Sequence, residues 1–174
     1  MKLLKQPEII IKTFTEDDIS IIVDEFARHN WPKPRATFEL YWNEQLQKER
    51  QVWLAYCDDK LAGYVTLKRN SFYSPFQENR IPEIMDLNVL PPFRNKGIGS
   101  LLLDIAEEKA SEFAQQVGIG FGLYKDYGFA QKLYVKRGYI PDGLGVTYNY
   151  IPVIPGAMYS VDDDLVLWLI KSFL

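Results

Sequence analysis

The chain reads as an α/β (α+β) fold, a mixed and mostly antiparallel central sheet flanked by helices. Three observations predict this. Strand-like and helix-like segments alternate along the chain, roughly βααβββαβα followed by further β structure. Two β-rich runs, Gln51–Cys57 and Leu61–Lys68, flank a turn at Asp58-Asp59-Lys60 and read as an antiparallel hairpin. A third run, Glu83–Leu90, is stopped by Pro91-Pro92 and leads into an amphipathic helix that begins at a glycine pair. The 174 residues make a single domain, 1–174, with a core from about Ile9 to Ile170.

Each element has its own signal. Glu8–Phe14 (EIIIKTF) is a first strand. Thr15 with Glu16, Asp17 and Asp18 reads as a helix start, an N-cap hydroxyl followed by carboxylates in the positive first turn. Ile19, Ile22, Val23 and Phe26 then follow helical spacing, until Trp31-Pro32-Lys33-Pro34 breaks it. Phe38, Tyr41, Trp42 and Leu46 mark a second helix, and Phe72–Arg80 reads as a loop. Gly97–Val117 reads as one long helix, with apolar residues at 98, 101, 102, 105, 106, 113 and 114. Gly118–Tyr124 is a glycine-interrupted strand, Gly128–Lys136 a short helix and Leu165–Ile170 a buried last strand.

Composition narrows the function. Apolar residues are 47% and charged residues 25%, an ordinary globular balance. A net charge of −3 does not suggest a nucleic-acid or membrane-surface binder. One cysteine, Cys57, excludes an internal disulfide and any multi-cysteine zinc site. One histidine, His29, excludes paired-histidine metal sites; it reads as a helix-end residue, and Cys57 as a buried small apolar one. The N-terminus MKLLKQPEIIIKTF lacks a leader's long apolar stretch and small-residue cleavage site, and no apolar run reaches membrane-span length. A cytoplasmic protein without a metal is the expectation.

Chemistry concentrates in Arg94-Asn95-Lys96-Gly97-Ile98-Gly99, between a strand and a helix. Glycines at 97 and 99 let backbone N–H groups approach a ligand, and the helix N-terminus favours an anion. Arg94 and Lys96 add charge; Lys125, Lys132, Lys136 and Arg137 are further candidates for the same anion, with the three lysines read first as solvated surface groups. Physically this is a phosphate or pyrophosphate cradle; the bland reading is a loop with helix-starting glycines. A P-loop is a poor fit because Lys96 precedes Gly97, and a dinucleotide fingerprint because Leu102 occupies the third glycine position.

These residues resemble the acetyl-CoA motif of the GCN5-related N-acetyltransferases (GNAT). Ala130-Gln-Lys-Leu-Tyr134-Val-Lys-Arg-Gly138-Tyr139 is similar to that family's second segment, in the right order. The resemblance implies a GNAT-type fold in which the fourth and fifth strands splay around the cofactor. The expected cofactor is acetyl-CoA, as acetyl donor. By the resemblance its pantetheine arm pairs with the backbone of Leu87, Asn88 and Val89, and its pyrophosphate sits on the N–H groups of Asn95, Lys96, Gly97, Ile98, Gly99 and Ser100, with Arg94 beside them. Glu83 matches a family general base, with Asp86 as the alternative, and Tyr134 matches a tyrosine near the cofactor sulfur. Both carboxylates also read as plain strand-end acids, and Tyr134 as a core aromatic. Tyr127 stands where many members carry asparagine, which puts that cofactor contact in doubt.

The implied reaction is attack of a primary amine on the thioester in a ternary complex. The acceptor, a small molecule or a peptide, is not legible. Two other readings stand beside it: a CoA-binding regulatory or interaction module without turnover, and an acyltransferase using a longer acyl-CoA. Trp31, Phe72, Tyr73, Phe76, Tyr148 and Tyr150 read as core-capping loop aromatics or as an acceptor slot, and Asp162-Asp163-Asp164 as a solvated turn. Such folds commonly form homodimers, and no interface can be read here.

Overall fold

Asp58 and Asp59 have φ values of 48° and 61°, the pair of left-handed residues that a two-residue hairpin turn requires. They join β2 (Arg50–Cys57) to β3 (Lys60–Lys68) at the hairpin expected from sequence. The structure is a computed structural model and describes residues 7–173. The reading of the N-terminus as leaderless falls partly on residues 1–6, which lie outside the described residues.

β1 (Ile9–Thr13) pairs antiparallel with β2, from Ile9↔Cys57 to Thr13↔Trp53. β4 (Glu83–Val89) runs parallel to β5 (Gln116–Gly122) through Glu83↔Gly118 and Ile84↔Ile119. β8 (Leu165–Ser172) is antiparallel to β5 and to β6 (Ile140–Tyr148), and the short β7 (Ile151–Pro152) pairs with β6. The 8-stranded sheet has the order β1-β2-β3-β4-β5-β8-β6-β7. It is mixed and mostly antiparallel, as expected. No helix among the described residues is long and apolar enough to cross a membrane.

The chain sorts into two compact units. The first holds the described residues up to Leu67 together with Asp86–Ala106; the second holds Lys68–Met85 and the residues from Glu107 onward.

In the first unit, Ile19, Ile22 and Phe26 of α1 (Asp18–Arg28) and Phe38 of α2 (Arg35–Leu46) are buried, the helical stripe read from sequence. The Tyr64 ring of β3 lies 5.4 Å from the rings of both Phe26 and Phe38. The helix start differs from expectation. Thr15 is not the N-cap; Asp17 is, and the Thr15 N–H and hydroxyl both donate to Oδ2 of the buried Asp18, at 2.9 and 2.8 Å. Lys12 Nζ completes that carboxylate at 2.6 Å. A carboxylate accepts only, so the threonine hydroxyl becomes a donor instead of capping N–H groups. Arg50, also buried, donates to Glu44 Oε2 at 2.5 Å and Thr66 Oγ1 at 2.6 Å, and its guanidinium lies 4.2 Å from the Tyr41 ring.

The second unit is organised on Trp168, buried with Tyr73, Phe76 and Ile81. Tyr73 stacks on Trp168 at 4.2 Å and an interplanar angle of 4°. Those contacts explain why Phe72–Arg80 is not simply a loop. Residues Ser74–Glu78 form a short helix, α3, with Pro75 in its first turn, where a missing N–H costs nothing. The Phe76 ring reaches Gly118, where a Cβ would come within 2.0 Å of it.

The helix expected over Gly97–Val117 is shorter, α4 spanning Ile98–Ser111. Its last turn closes through Ser111 Oγ donating to the Glu108 carbonyl at 2.7 Å. Val117, Ile119 and Phe121 then alternate into the core as part of β5. Strand period and helix period overlap in this stretch, and burial on the sheet decides. The short helix α5 (Gly128–Lys136) and the last strand begin where expected, preceded in α5's case by a 3₁₀ turn at Lys125–Tyr127. In β6 the pairing jumps from Pro141↔Leu169 to Val146↔Leu167. The extra residues bulge out at Gly143 and Gly145, φ 85° and 82°, and Asp142 pins the bulge by accepting from the Leu144 N–H and the Tyr73 hydroxyl.

Arg137 does not join an anion site. Its guanidinium donates two bonds of 2.9 Å to Glu107, which also accepts from Lys171 at 2.6 Å and the Tyr139 hydroxyl at 3.1 Å. Burial pushes the Glu107 carboxyl up, but the bonds and charges of Arg137 and Lys171 outweigh it and hold the carboxyl low. A lowered carboxyl lends stability that is complete above the ordinary value of 4.5 and lost as pH falls through the lowered one. Glu107→Gln is therefore expected to cost about 3 kcal/mol near neutral pH, because two half-buried cations lose a buried carboxylate. Urea unfolding against pH checks it: the deficit shrinks as pH falls through the lowered value of the Glu107 carboxyl. Gly118→Ala should cost about 2 kcal/mol by overpacking against Phe76, and Phe76→Leu in the same chain should recover part of it.

Candidate functional site

Asp86, in the middle of β4, has a φ of 52°, a left-handed conformation that interrupts the regular strand. The Tyr41 hydroxyl donates to its Oδ2, and the Asn88 side-chain amide donates back to the Asp86 carbonyl at 3.0 Å. Burial and the Asp86 carboxylate push the Tyr41 hydroxyl far up, so it remains a donor. Beyond the irregularity, the strand presses against β3. A Cβ on Gly63 would lie 2.3 Å from the Asn88 carbonyl oxygen and 3.0 Å from Val89 Cα, so only glycine fits. The Leu90 N–H donates to the Ala62 carbonyl at 2.8 Å, which anchors the far end. Leu87 and Val89 are half-buried and Asn88 is buried.

A 3₁₀ turn, Pro91–Phe93, follows, and then the predicted cradle. Asn95 and Gly97 are both left-handed, φ 59° and 80°, and a Cβ at Gly97 would meet nothing within 4 Å. α4 starts at Ile98, and its first turn closes with the Leu101 N–H donating to the Gly97 carbonyl at 3.1 Å. The N–H groups of Ile98, Gly99 and Ser100 precede that bond and carry the positive end of the helix dipole. This open concavity of backbone donors suits a phosphate. Ile98 contributes backbone alone, since its side chain is buried. Arg94 is used differently from a simple phosphate clamp. Its Nε donates to the Val89 carbonyl at 3.0 Å and its guanidinium lies 5.8 Å from the Trp31 ring, bracing the loop. Lys96 is exposed, with Nζ 5.3 Å from the Phe93 ring.

The second unit carries the two acid–base candidates. Glu83 is buried at 4% exposure, directly opposite Gly118 on β5. The Ser71 hydroxyl donates to its Oε2 at 2.5 Å. Tyr134, 5% exposed, packs with ring centroids 6.3 Å from Phe121 and 5.9 Å from Tyr139. It is a core aromatic by packing, which is compatible with a hydroxyl role and does not decide one.

Tyr127, the departure from the family asparagine, has a structural task. Its ring covers Gly122, and its hydroxyl donates to Asp163 Oδ1 at 2.9 Å. Tyr124 donates to the same oxygen, and that bond, with burial, pushes its hydroxyl up to about 12. Asp162 accepts from the Tyr148 hydroxyl at 3.0 Å. The acidic turn is thus tied down by tyrosines rather than simply solvated. Lys125, Lys132 and Lys136 are exposed. His29 ends α1, 3.3 Å from Glu25, and Cys57 is buried, as expected. Of the aromatics, Tyr73 and Phe76 are core, while Phe72 and Tyr150 are 58% and 37% exposed with ring centroids 6.0 Å apart.

Gly63, Tyr41 and Ser71 were not foreseen. A glycine inside a strand was the available signal for Gly63; Tyr41 and Ser71 sit far along the chain from their partners.

The family model for the acetyltransferase (GNAT) family matches residues 17–139. An uncharacterized N-acetyltransferase of Archaeoglobus fulgidus is 35% identical over 78 residues, 44% of this chain and 52% of that protein. The match therefore spans about half the length of that relative. Among solved structures, an N-acetyltransferase from Staphylococcus aureus superposes with a TM-score of 0.70 at 15% identity, covering 95% of this chain and 98% of that one. Arabidopsis thaliana Naa50, in complex with the bisubstrate analogue CoA-Ac-MVNAL, gives 0.65 at 19% identity, covering 95% and 99%. At such identities the structural likeness speaks for the fold. The family model, covering well over half of the chain and including the cradle and Tyr134, establishes the kinship: the chain belongs to the acetyltransferase (GNAT) family.

Proposed function

We propose that the protein is an N-acetyltransferase that moves the acetyl group of acetyl-CoA to a primary amine by direct attack in a ternary complex, within one N-acetyltransferase domain. The observation that carries this reading is the cradle, two left-handed residues opening onto the N-terminus of a 14-residue helix with no Cβ in the way at Gly97. The pyrophosphate is held on the N–H groups of Asn95 through Ser100, with charge from Lys96 and Arg94. The pantetheine amides pair with the backbone of Leu87, Asn88 and Val89, and a backbone N–H near Val89 stabilises charge on the thioester oxygen.

In the reaction the amine nitrogen forms a bond to the acetyl carbon, and the carbon–sulfur bond breaks. Glu83 takes the amine proton, directly or through a water, and Tyr134 donates to the departing thiolate. Holding both reactants together supplies much of the rate. Asp86 is the second candidate base, because its carboxylate is exposed where that of Glu83 is buried. The acceptor is a small-molecule or peptide amine; the Naa50 neighbour, bound to a peptide-bearing CoA analogue, supports including peptides in the screen.

Acetyl-CoA at a hundred times Kd should add about 2.7 kcal/mol and raise the unfolding midpoint by roughly 5–10 °C, with NADH and ATP giving no such shift. Gly99→Trp should abolish the acetyl-CoA shift while the ligand-free midpoint stays within a few degrees. No shift in the wild type would remove the donor reading. A shift without CoA-thiol release, across a panel of spermidine, kanamycin, a lysine peptide and peptides with free N-termini, would make the protein a CoA-binding module. A shift with longer acyl-CoA alone would change the donor. With an accepted amine, kcat/KM should fall as pH drops and the base protonates. That fall should vanish in Glu83→Gln and persist in Asp86→Asn; the reverse result assigns the base to Asp86. Tyr134→Phe should slow turnover about a hundredfold at unchanged acetyl-CoA affinity.

A further inference from the structure

We infer that Ser71 is a positioning residue for the base, its hydroxyl orienting the Glu83 carboxylate and keeping it ionised. This rests on the reading of Glu83 as base. Ser71 is 1% exposed, in the connection after β3, twelve residues before Glu83. Its oxygen accepts the Tyr73 N–H at 2.9 Å and its hydroxyl donates to Glu83 Oε2 at 2.5 Å. The arriving N–H occupies a lone pair of the oxygen, so the hydroxyl proton points away, toward the carboxylate. A donor aimed at a carboxylate favours its charged form, the form that accepts a proton.

The donor is itself fixed. Tyr73 stacks on Trp168 at 4.2 Å, and its hydroxyl is held by Asp142 Oδ2 at 2.8 Å. The Trp168 indole N–H is held in turn by Thr147 Oγ1 at 2.8 Å. On β5, the residue opposite Glu83 is Gly118, and the Phe76 ring fills the space its Cβ would take. Directly paired residues project to the same face of a sheet, so the Phe76 ring and the Glu83 side chain share that face. The charged and titratable groups on these segments include Lys68, buried at the end of β3, Arg69 just after it, Glu78 of α3, Asp86 of β4, Lys171 of β8, and Asp142 and Tyr73, bonded to each other. Ser71 is therefore the neutral donor that joins the carboxylate to a rigid aromatic frame, and a base held this way needs no reorganisation when the amine arrives.

The test is a carboxyl-carbon NMR titration of the full chain labelled at glutamate, with the Glu83 signal assigned by its loss in Glu83→Gln. Ser71→Ala should raise the Glu83 titration midpoint by about one pH unit. With the fastest amine of the panel, kcat should fall about tenfold while KM for acetyl-CoA holds within about twofold. Ser71→Thr, which keeps the hydroxyl, should restore both. Ser71→Cys, close in volume with a weak donor, serves where alanine unfolds the chain, and should fall between the two. An unchanged Glu83 midpoint in Ser71→Ala, or no recovery in Ser71→Thr, would reduce Ser71 to a turn-sealing residue. A shifted midpoint together with a fully active Glu83→Gln would instead overturn the base reading and leave the Ser71–Glu83 coupling standing.

Discussion

Asp86 holds a left-handed backbone in the interior of a strand, and much of the first unit is arranged around keeping it there. For a residue with a Cβ this costs about 1–2 kcal/mol, so it needs outside support. The support is a chain of contacts. The Tyr41 hydroxyl bonds the Asp86 carboxylate, and the Tyr41 ring lies under the Arg50 guanidinium. Arg50 is buried and donates to Glu44 and Thr66. Removing the Asp86 carboxylate would take the acceptor from the buried Tyr41 hydroxyl, and removing Glu44 would take a carboxylate from the buried Arg50 guanidinium. With the strand interrupted at Asp86, the following residues press on Gly63 and end at the Leu90–Ala62 bond, just before the cradle.

The second unit solves a similar problem with different chemistry. Its buried carboxylate Glu107 is satisfied by two cations and a phenol. Its half-buried Asp162 and exposed Asp163 are tied by three tyrosine hydroxyls. Burial and the bond to Asp163 push the Tyr127 hydroxyl up, and the carboxylate bonds push those of Tyr124 and Tyr148 up, so all three stay donors at neutral pH. The arginine that sequence assigned to an anion site is thereby withdrawn from it. Cation count along a segment is a poor guide to anion binding once a buried carboxylate competes for the same guanidinium.

Most of the fold was legible because its signals are local. A two-residue turn between apolar runs makes a hairpin, and a glycine pair after a proline-stopped strand makes a helix start. The misses share a cause. The end of α4, the helix at Ser74–Glu78 and the true cap of α1 depend on what the segment packs against: the sheet for Val117, Trp168 for Phe76, Lys12 for Asp18. Within the candidate site, the loop and helix start over Asn95 through Ser100 were legible since they are consecutive. Tyr41 is 45 residues from Asp86, and Ser71 and Tyr73 matter only through where Glu83 and Asp142 come to lie.

By itself the sequence determined the mixed sheet, the order of most of its elements, the glycine-opened loop at the start of a helix and the family, because these rest on residue types at short fixed spacings. Tertiary structure alone decided that Arg94 braces the loop, that Arg137 serves Glu107, that Glu83 is buried on Ser71 while Asp86 is exposed, and that Gly63 must lack a side chain. Most of those are contacts between segments distant in sequence, where burial and competition among hydrogen-bond partners, rather than local preference, set the outcome.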